Sequence, residues 1–292
     1  MPSTRSNTTL DPLRMLIASL AIPAAAAPMT AVSTPELVSE AIKAGVIGSF
    51  PTSNAISLLQ LDEWFDQICR ATAHDNRAGL LMANLIVGRQ NHRLEGDLET
   101  IVKHKVPLVV TSVGNPSAVI EPLHEAGILV IADVASMRHV EKALELGVDG
   151  LALLSAGAGG HTGWANPLAF VRAVRAISDI PLAVAGGMSD GYALWAAITA
   201  GYDLGWFGTR FIATHESGAH EEWRSGLINA SIDDVAVTVA PNGVSASTLR
   251  SGAGSGGHTV SAVSRIVSTS ELVAELIEDW HHARAQTRAL LA

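Results

Sequence analysis

The chain has 292 residues, 48% of them hydrophobic and only 16% charged, with a net charge of −9 and a pI near 5.6. A duplex-binding surface needs a basic stripe to displace counterions from phosphates, and none is present, so a nucleic-acid partner is excluded. The lone cysteine, Cys69, excludes an internal disulfide, and no charge-free apolar run of about 20 residues suggests a transmembrane helix, so the expected setting is cytoplasmic with no membrane partner.

Residues 1–12 are expected to form a flexible N-terminus. Arg5 and Arg14 precede an apolar stretch from Met15 to Ala27 that closes on four alanines, which imitates a secretory signal. The favoured reading is a short helix over 12–20 and a first strand over 22–27, because the rest of the chain repeats that pattern. Further strands are expected over 45–49, 79–84, 107–111, 127–132, 150–154, 181–185 and 203–207, giving eight. Helical segments lie between them, over 34–43, 57–72, 94–104, 116–125, 136–146, 167–177 and 191–200. Cys69 falls in the apolar-periodic stretch 61–69 and is expected in the core of its helix. Gly45, Gly127, Gly147 and Gly201 stand where a helix stops and a strand begins, as glycine's tolerance of left-handed dihedrals favours.

Strands that alternate with helices form either a closed barrel or an open doubly wound sheet. No G-x-G-x-x-G follows the first strand, which argues against a dinucleotide-binding sheet. The expected fold class is α/β, a (β/α)8 TIM barrel over 13–235. Residues 236–292 would add an irregular glycine-rich stretch over 240–260 and a closing helix near 271–291, packed on the barrel. High apolar content suits such a sheet, because both faces of every strand are covered.

In this fold the chemistry sits just beyond the C-terminal ends of the strands. After the sixth strand comes Ser155-Ala156-Gly157-Ala158-Gly159-Gly160-His161-Thr162-Gly163, where glycines let the backbone approach a planar ligand and leave one imidazole for proton transfer. No second ligand stands at metal-binding spacing from His161, so no metal is expected. After the seventh and eighth strands, Gly186-Gly187 and Gly208-Thr209 offer bare backbone N–H groups suited to a phosphate. Ala27-Pro28-Met29 follows the first strand, and Asn84 ends the third with both a donor and an acceptor. Asn54 and Trp164 are candidate substrate contacts. His74, His92, His104, His124, His139, His215 and His220 lie away from strand ends and call for no function.

These motifs, in this order, resemble the nitronate monooxygenase family, formerly called 2-nitropropane dioxygenases: Ala27-Pro28-Met29, Asn84-Leu85, Ala158-Gly159-Gly160-His161, Ala185-Gly186-Gly187-Met188, and Gly208-Thr209-Arg210-Phe211. The resemblance covers residues 13–215 well and the remainder loosely. It implies an FMN-binding barrel with Gly186, Gly187, Gly208 and Thr209 at the phosphate. It also places Ala27, Pro28, Met29, Asn84, Ala158, Gly159 and Gly160 beside the cofactor, and makes His161 the catalytic histidine. The implied reaction oxidises alkyl nitronates or nitroalkanes, with the flavin taking electrons and O2 reoxidising it. Two positions depart from the family pattern. A lysine common after the fifth strand is replaced by Asp133, and an acid common near the end of the sixth by Leu153-Leu154-Ser155.

Two other readings stay open. One keeps FMN but makes the chain an enoyl-thioester reductase that takes hydride from NAD(P)H. The other is a barrel that binds a phosphate ligand without redox chemistry. The expected partner is a small-molecule substrate with O2 or NAD(P)H as redox partner, and a homodimer is permitted. The string Gly256-Gly257-His258-Thr259 repeats that of the histidine loop, by coincidence or because this late segment folds over the cofactor phosphate.

Overall fold

The computed structural model describes residues 11–73, 79–239 and 244–291. The 1–10 part of the expected flexible N-terminus and His74 lie outside them. Asp11 starts the first element by accepting hydrogen bonds from the backbone N–H groups of Leu13 (2.9 Å) and Arg14 (3.1 Å). From there α1 (Pro12–Ala18) leads to β1 (Ala24–Ala26), α2 (Pro35–Lys43), β2 (Ile47–Pro51), α3 (Leu58–Thr72) and β3 (Leu80–Ile86). The middle of the chain forms α4 (Leu94–Lys103), β4 (Leu108–Ser112), α5 (Ser117–Glu125), β5 (Leu129–Val134), α6 (Met137–Glu145) and β6 (Gly150–Leu154). A two-residue strand β7 (Gly160–His161) intervenes before α7 (Pro167–Arg175), β8 (Leu182–Ala185), α8 (Gly191–Ala200) and β9 (Leu204–Phe207).

Eight parallel strands close in the order β1-β2-β3-β4-β5-β6-β8-β9, with β9 returning to β1 through Ala24–Gly205, Ala25–Trp206 and Ala26–Phe207. The fold is therefore a (β/α)8 barrel. Alternation along each strand sends Ile47, Met82, Leu108, Ile131, Ala152, Ala183 and Leu204 into one interior cluster. Their neighbours Val109, Val130, Leu151, Val184 and Phe207 face the helices.

Several observed strands lie up to two residues later than the apolar pattern placed them: 47–51 rather than 45–49, 129–134 rather than 127–132. The reason is at both ends. Gly45 and Gly127 have φ of +91° and +75°, so they cap the preceding helix and belong to the turn. At the other end the strands run on into Pro51, Ser112 and Asp133, where the apolar signal stops although the ladder continues.

Three expectations are corrected. Cys69 is exposed rather than a core residue, because Leu61, Phe65 and Ile68 take the buried face of α3 and Cys69 is turned about 100° past Ile68. Residues 240–243 lie outside the described residues, and the described part of the stretch 240–260 is not wholly irregular: after α9 (Thr209–Ile212) and α10 (Glu221–Ile228), its β11 (Ser245–Leu249) pairs antiparallel with β10 (Val235–Val239) and with β7. The homodimer permitted by the apolar composition, with Trp-containing segments such as Asp279-Trp280, finds no support at Trp280 on the closing helix α11 (Thr269–Leu290). That residue is 7% exposed and packs edge-on against Trp195 of α8 at 5.3 Å, with Arg284 over both rings. Trp195 Nε1 donates to Thr287 Oγ1 at 2.9 Å, and Gly191 lets the backbone of α11 at Trp280 approach α8 directly.

Candidate active site

Inward-facing residues at or just past the C-terminal ends of the barrel strands lie at the rim. Ala27, Pro51, Asn84, Ser112, Asp133, Leu154, Ala185 and Trp206 form this ring, and all eight line one lobe of about 390 Å³. Pro28, Met29, Ala158, Gly159, Gly160, His161, Gly208 and Thr209 complete its wall. A second lobe of about 550 Å³ runs outward between α6, the loop after β4 and the start of β11, with Trp164 at its edge. Val113, Asp133, Leu154 and His161 border both lobes, so the two open into each other at these residues. Volumes of this size are typical of ligand sites.

His161 does not sit on a loose loop. It is a strand residue, paired with Ala246 of β11, and the next backbone N–H, of Thr162, donates to Ser245 O at 3.0 Å. The ribbon thus fixes the backbone of His161 while its side chain stays exposed to the cavity. Gly160 makes the turn into this strand at φ +62°, a dihedral that side-chain-bearing residues adopt at a cost. The two Gly-Gly-His-Thr strings lie against each other. His258 N–H donates to Gly157 O at 3.0 Å and Gly257 N–H to Thr209 Oγ1 at 3.0 Å, while a Cβ on Gly159 would stand 2.8 Å from Gly257 N. The late glycine segment therefore seals the loops after the sixth and eighth barrel strands.

Asn84 is buried, and its Nδ2 donates to Val110 O at 3.2 Å and to Ser112 Oγ at 2.8 Å. Met29 lines the inner lobe. Gly186 and Gly187 follow the lining residue Ala185 but are not themselves part of the wall. Asn54 lies apart from both lobes. Its amide donates to Met29 O (3.0 Å) and Ser33 O (3.1 Å) and accepts from Ala31 N (3.2 Å), which pins the loop carrying Met29. Removing that amide in Asn54→Ala is expected to cost about 1–2 kcal/mol of stability, because three backbone groups lose their partner; urea unfolding measures it.

The cavity also holds residues that the motifs did not mark. Trp206 is 6% exposed and its Nε1 is buried without an acceptor among the described residues. Val113, a β-branched residue, holds φ +57° at the junction of the lobes; such strain persists where surrounding structure enforces it. His139 lines the outer lobe together with Lys142, so the expectation that His139 lies away from the site is corrected: it is one helical turn past the end of β5. Period-2 alternation marks Trp206 as inward-facing, whereas nothing local marks Val113 or His139.

Asp133 is the sole carboxyl lining either lobe. No hydrogen bond or ion pair reaches it from the described residues, and burial pushes its carboxyl up to about 7.

The family model described as nitronate monooxygenase matches residues 55–255. The chain belongs to the nitronate monooxygenase family. A probable nitronate monooxygenase of Staphylococcus aureus (strain JH9) is 30% identical over 157 residues, covering 50% of this chain and 44% of the relative. The chain thus spans about half the length of the curated relatives it matches. Among solved structures, FabK from Thermotoga maritima superposes with a TM-score of 0.85 at 23% identity, covering 97% of this chain and all of that one. Nitroalkane oxidase from Streptomyces ansochromogenes superposes at 0.81 and 22%, over 93% of this chain and 99% of that one. At these identities both share the fold. Among the described residues no helix is long and apolar enough to cross a membrane.

Proposed function

We propose that the chain is an FMN-dependent oxidoreductase that oxidises alkyl nitronates or nitroalkanes, with O2 as the electron acceptor. The observation that carries this reading is His161, held by a strand at the junction of two lobes in the mouth of a barrel of this family.

The cavity fits a flavin on its own chemistry. Trp206 Nε1 is a buried donor in want of an acceptor, and an isoalloxazine edge is rich in acceptors. Asn84 on the same ring of residues presents an amide, and Ala27, Pro28 and Met29 form an apolar edge. Gly159, Gly160, Gly208 and Thr209 would border the phosphate, with Ala158 beside them and Gly186 and Gly187 contributing from the neighbouring loop. When bound, FMN supplies an acceptor for the substrate's electron pair. The protein's part is position and proton handling. His161 takes or returns the proton on the carbon that bears the nitro group, and Leu154 and Val113 keep water from that point. Trp164, 85% exposed at the edge of the outer lobe, would meet the far end of a substrate.

One observation favours a second reading. The outer lobe, at about 550 Å³, exceeds what a short nitroalkane fills, and its far wall carries His139 and Lys142. That shape suits a long acyl thioester with an anionic carrier, hence enoyl-thioester reduction by NAD(P)H. An anaerobic absorbance spectrum separates the readings. Bleaching of the flavin bands by an alkyl nitronate, with NADPH inert, is the expected result. Bleaching by NADPH alone moves the chain to the reductase, and no flavin spectrum even after FMN addition sinks both.

A further inference from the structure

Asp133 has no place in the chemistry above, yet it sits where ligand and His161 must meet. It lies one residue before the end of β5, on the inward register of Leu129 and Ile131, borders both lobes, and no donor or cation among the described residues satisfies it. We propose that Asp133 is a proton-linked selectivity gate of this cavity: when neutral it donates a hydrogen bond to a ligand oxygen, and when ionised it repels anions, so that a small planar oxyanion enters together with a proton. The inference rests on the reading of this cavity as the reaction site.

The physical argument follows from what a carboxyl can do in each state. Protonated, it has one O–H to donate; ionised, it only accepts. An anion placed beside a carboxylate in a protein-lined cavity meets a repulsion that bulk water would screen more fully. The same repulsion runs in reverse, since a bound anion raises the proton affinity of Asp133. Anion binding above neutral pH therefore takes up a proton, consistent with a carboxyl that burial already holds near neutrality. The titratable or charged groups facing it are few. His161 comes from β7, and His139 and Lys142 from α6. The packed strands contribute Thr111 and Ser112 from β4, Leu154 from β6 and Asn84 from β3, none of which titrates. A neutral acceptor, such as a nitroalkane or a carbonyl, binds without this linkage.

The test uses nitrate, a planar oxyanion with the shape of a nitronate head, titrated calorimetrically into FMN-loaded protein between pH 6 and 9. Running each pH in two buffers of different ionisation heat counts the protons taken up. Because the His161 imidazole borders the same two lobes, wild type, His161→Gln and Asp133→Asn are compared. Expected is a fall of about tenfold in nitrate affinity per pH unit above 7 in wild type and in His161→Gln, with one proton taken up in His161→Gln. In Asp133→Asn the component that survives in His161→Gln should vanish. A flat profile in His161→Gln assigns the dependence to the imidazole and overturns the proposal, as does a complete lack of nitrate binding in every form. Flavin content is read from the same samples: protein that retains no FMN fails the functional reading, while proton uptake still scores Asp133.

Discussion

Replacing His161 with alanine is expected to leave FMN bound and to lower kcat/KM for a neutral nitroalkane, whose alpha proton must be removed, by about 100- to 10,000-fold, the usual range for a lost acid–base group. The fold should survive, because the bonds that hold β7 to β11 come from backbone atoms and the imidazole is exposed. Flavin absorbance and circular dichroism check that premise, and steady-state turnover across pH reads the effect. The pH dependence of turnover should flatten with the loss of rate. Unchanged turnover at every pH would remove His161 from the mechanism and leave the cavity with Asp133 as its sole remaining acid–base group bordering both lobes.

The second large effect concerns stability. A carboxyl raised from 3.8 to about 7 by burial keeps its proton in the folded state over a range where the unfolded chain has given it up. Between about pH 4 and 7 the native state therefore binds more protons, and stability falls as pH climbs through that window. Above pH 7 the full penalty is present; below pH 4 it is absent. Asparagine cannot ionise, so Asp133→Asn is expected to be more stable than wild type at pH 8 by on the order of 2 kcal/mol, a value below the fully buried limit because water reaches the cavity. At pH 4.5 the two proteins should differ little. Urea unfolding at both pH values measures this, and equal stability at pH 8 would mean that Asp133 is solvated or partnered there.

These two residues also show how differently a site can be written in a sequence. His161 is conspicuous because four glycines surround it within nine positions, and glycine in such density has few packing uses. Asp133 is conspicuous only as a departure, an acid near the end of an apolar strand. Its inward direction follows from counting twos along β5, but its lack of a partner depends on what the other strands bring to the ring. Asn54 teaches the opposite lesson. Its position after β2 suggested a substrate contact, and the structure places its amide in the loop 29–33, a set of backbone bonds with no sequence signature.

By itself the sequence determined the architecture. Strand-length apolar runs, helix-period segments between them and glycines at the joints leave a parallel sheet with helices on its outside, and the absence of a dinucleotide fingerprint favours closure. Those signals are local, so a single chain carries them. Only the tertiary structure decided that the histidine is a strand residue, since β7 has two residues and exists because β11, more than eighty positions later, supplies its partner. It alone also decided that the repeated Gly-Gly-His-Thr string closes over its first copy, and that Trp206 Nε1 and Asp133 stand unpartnered in one cavity. Backbone pairing and burial between distant segments depend on loop closure and packing, and no periodicity in the chain encodes which distant groups will meet.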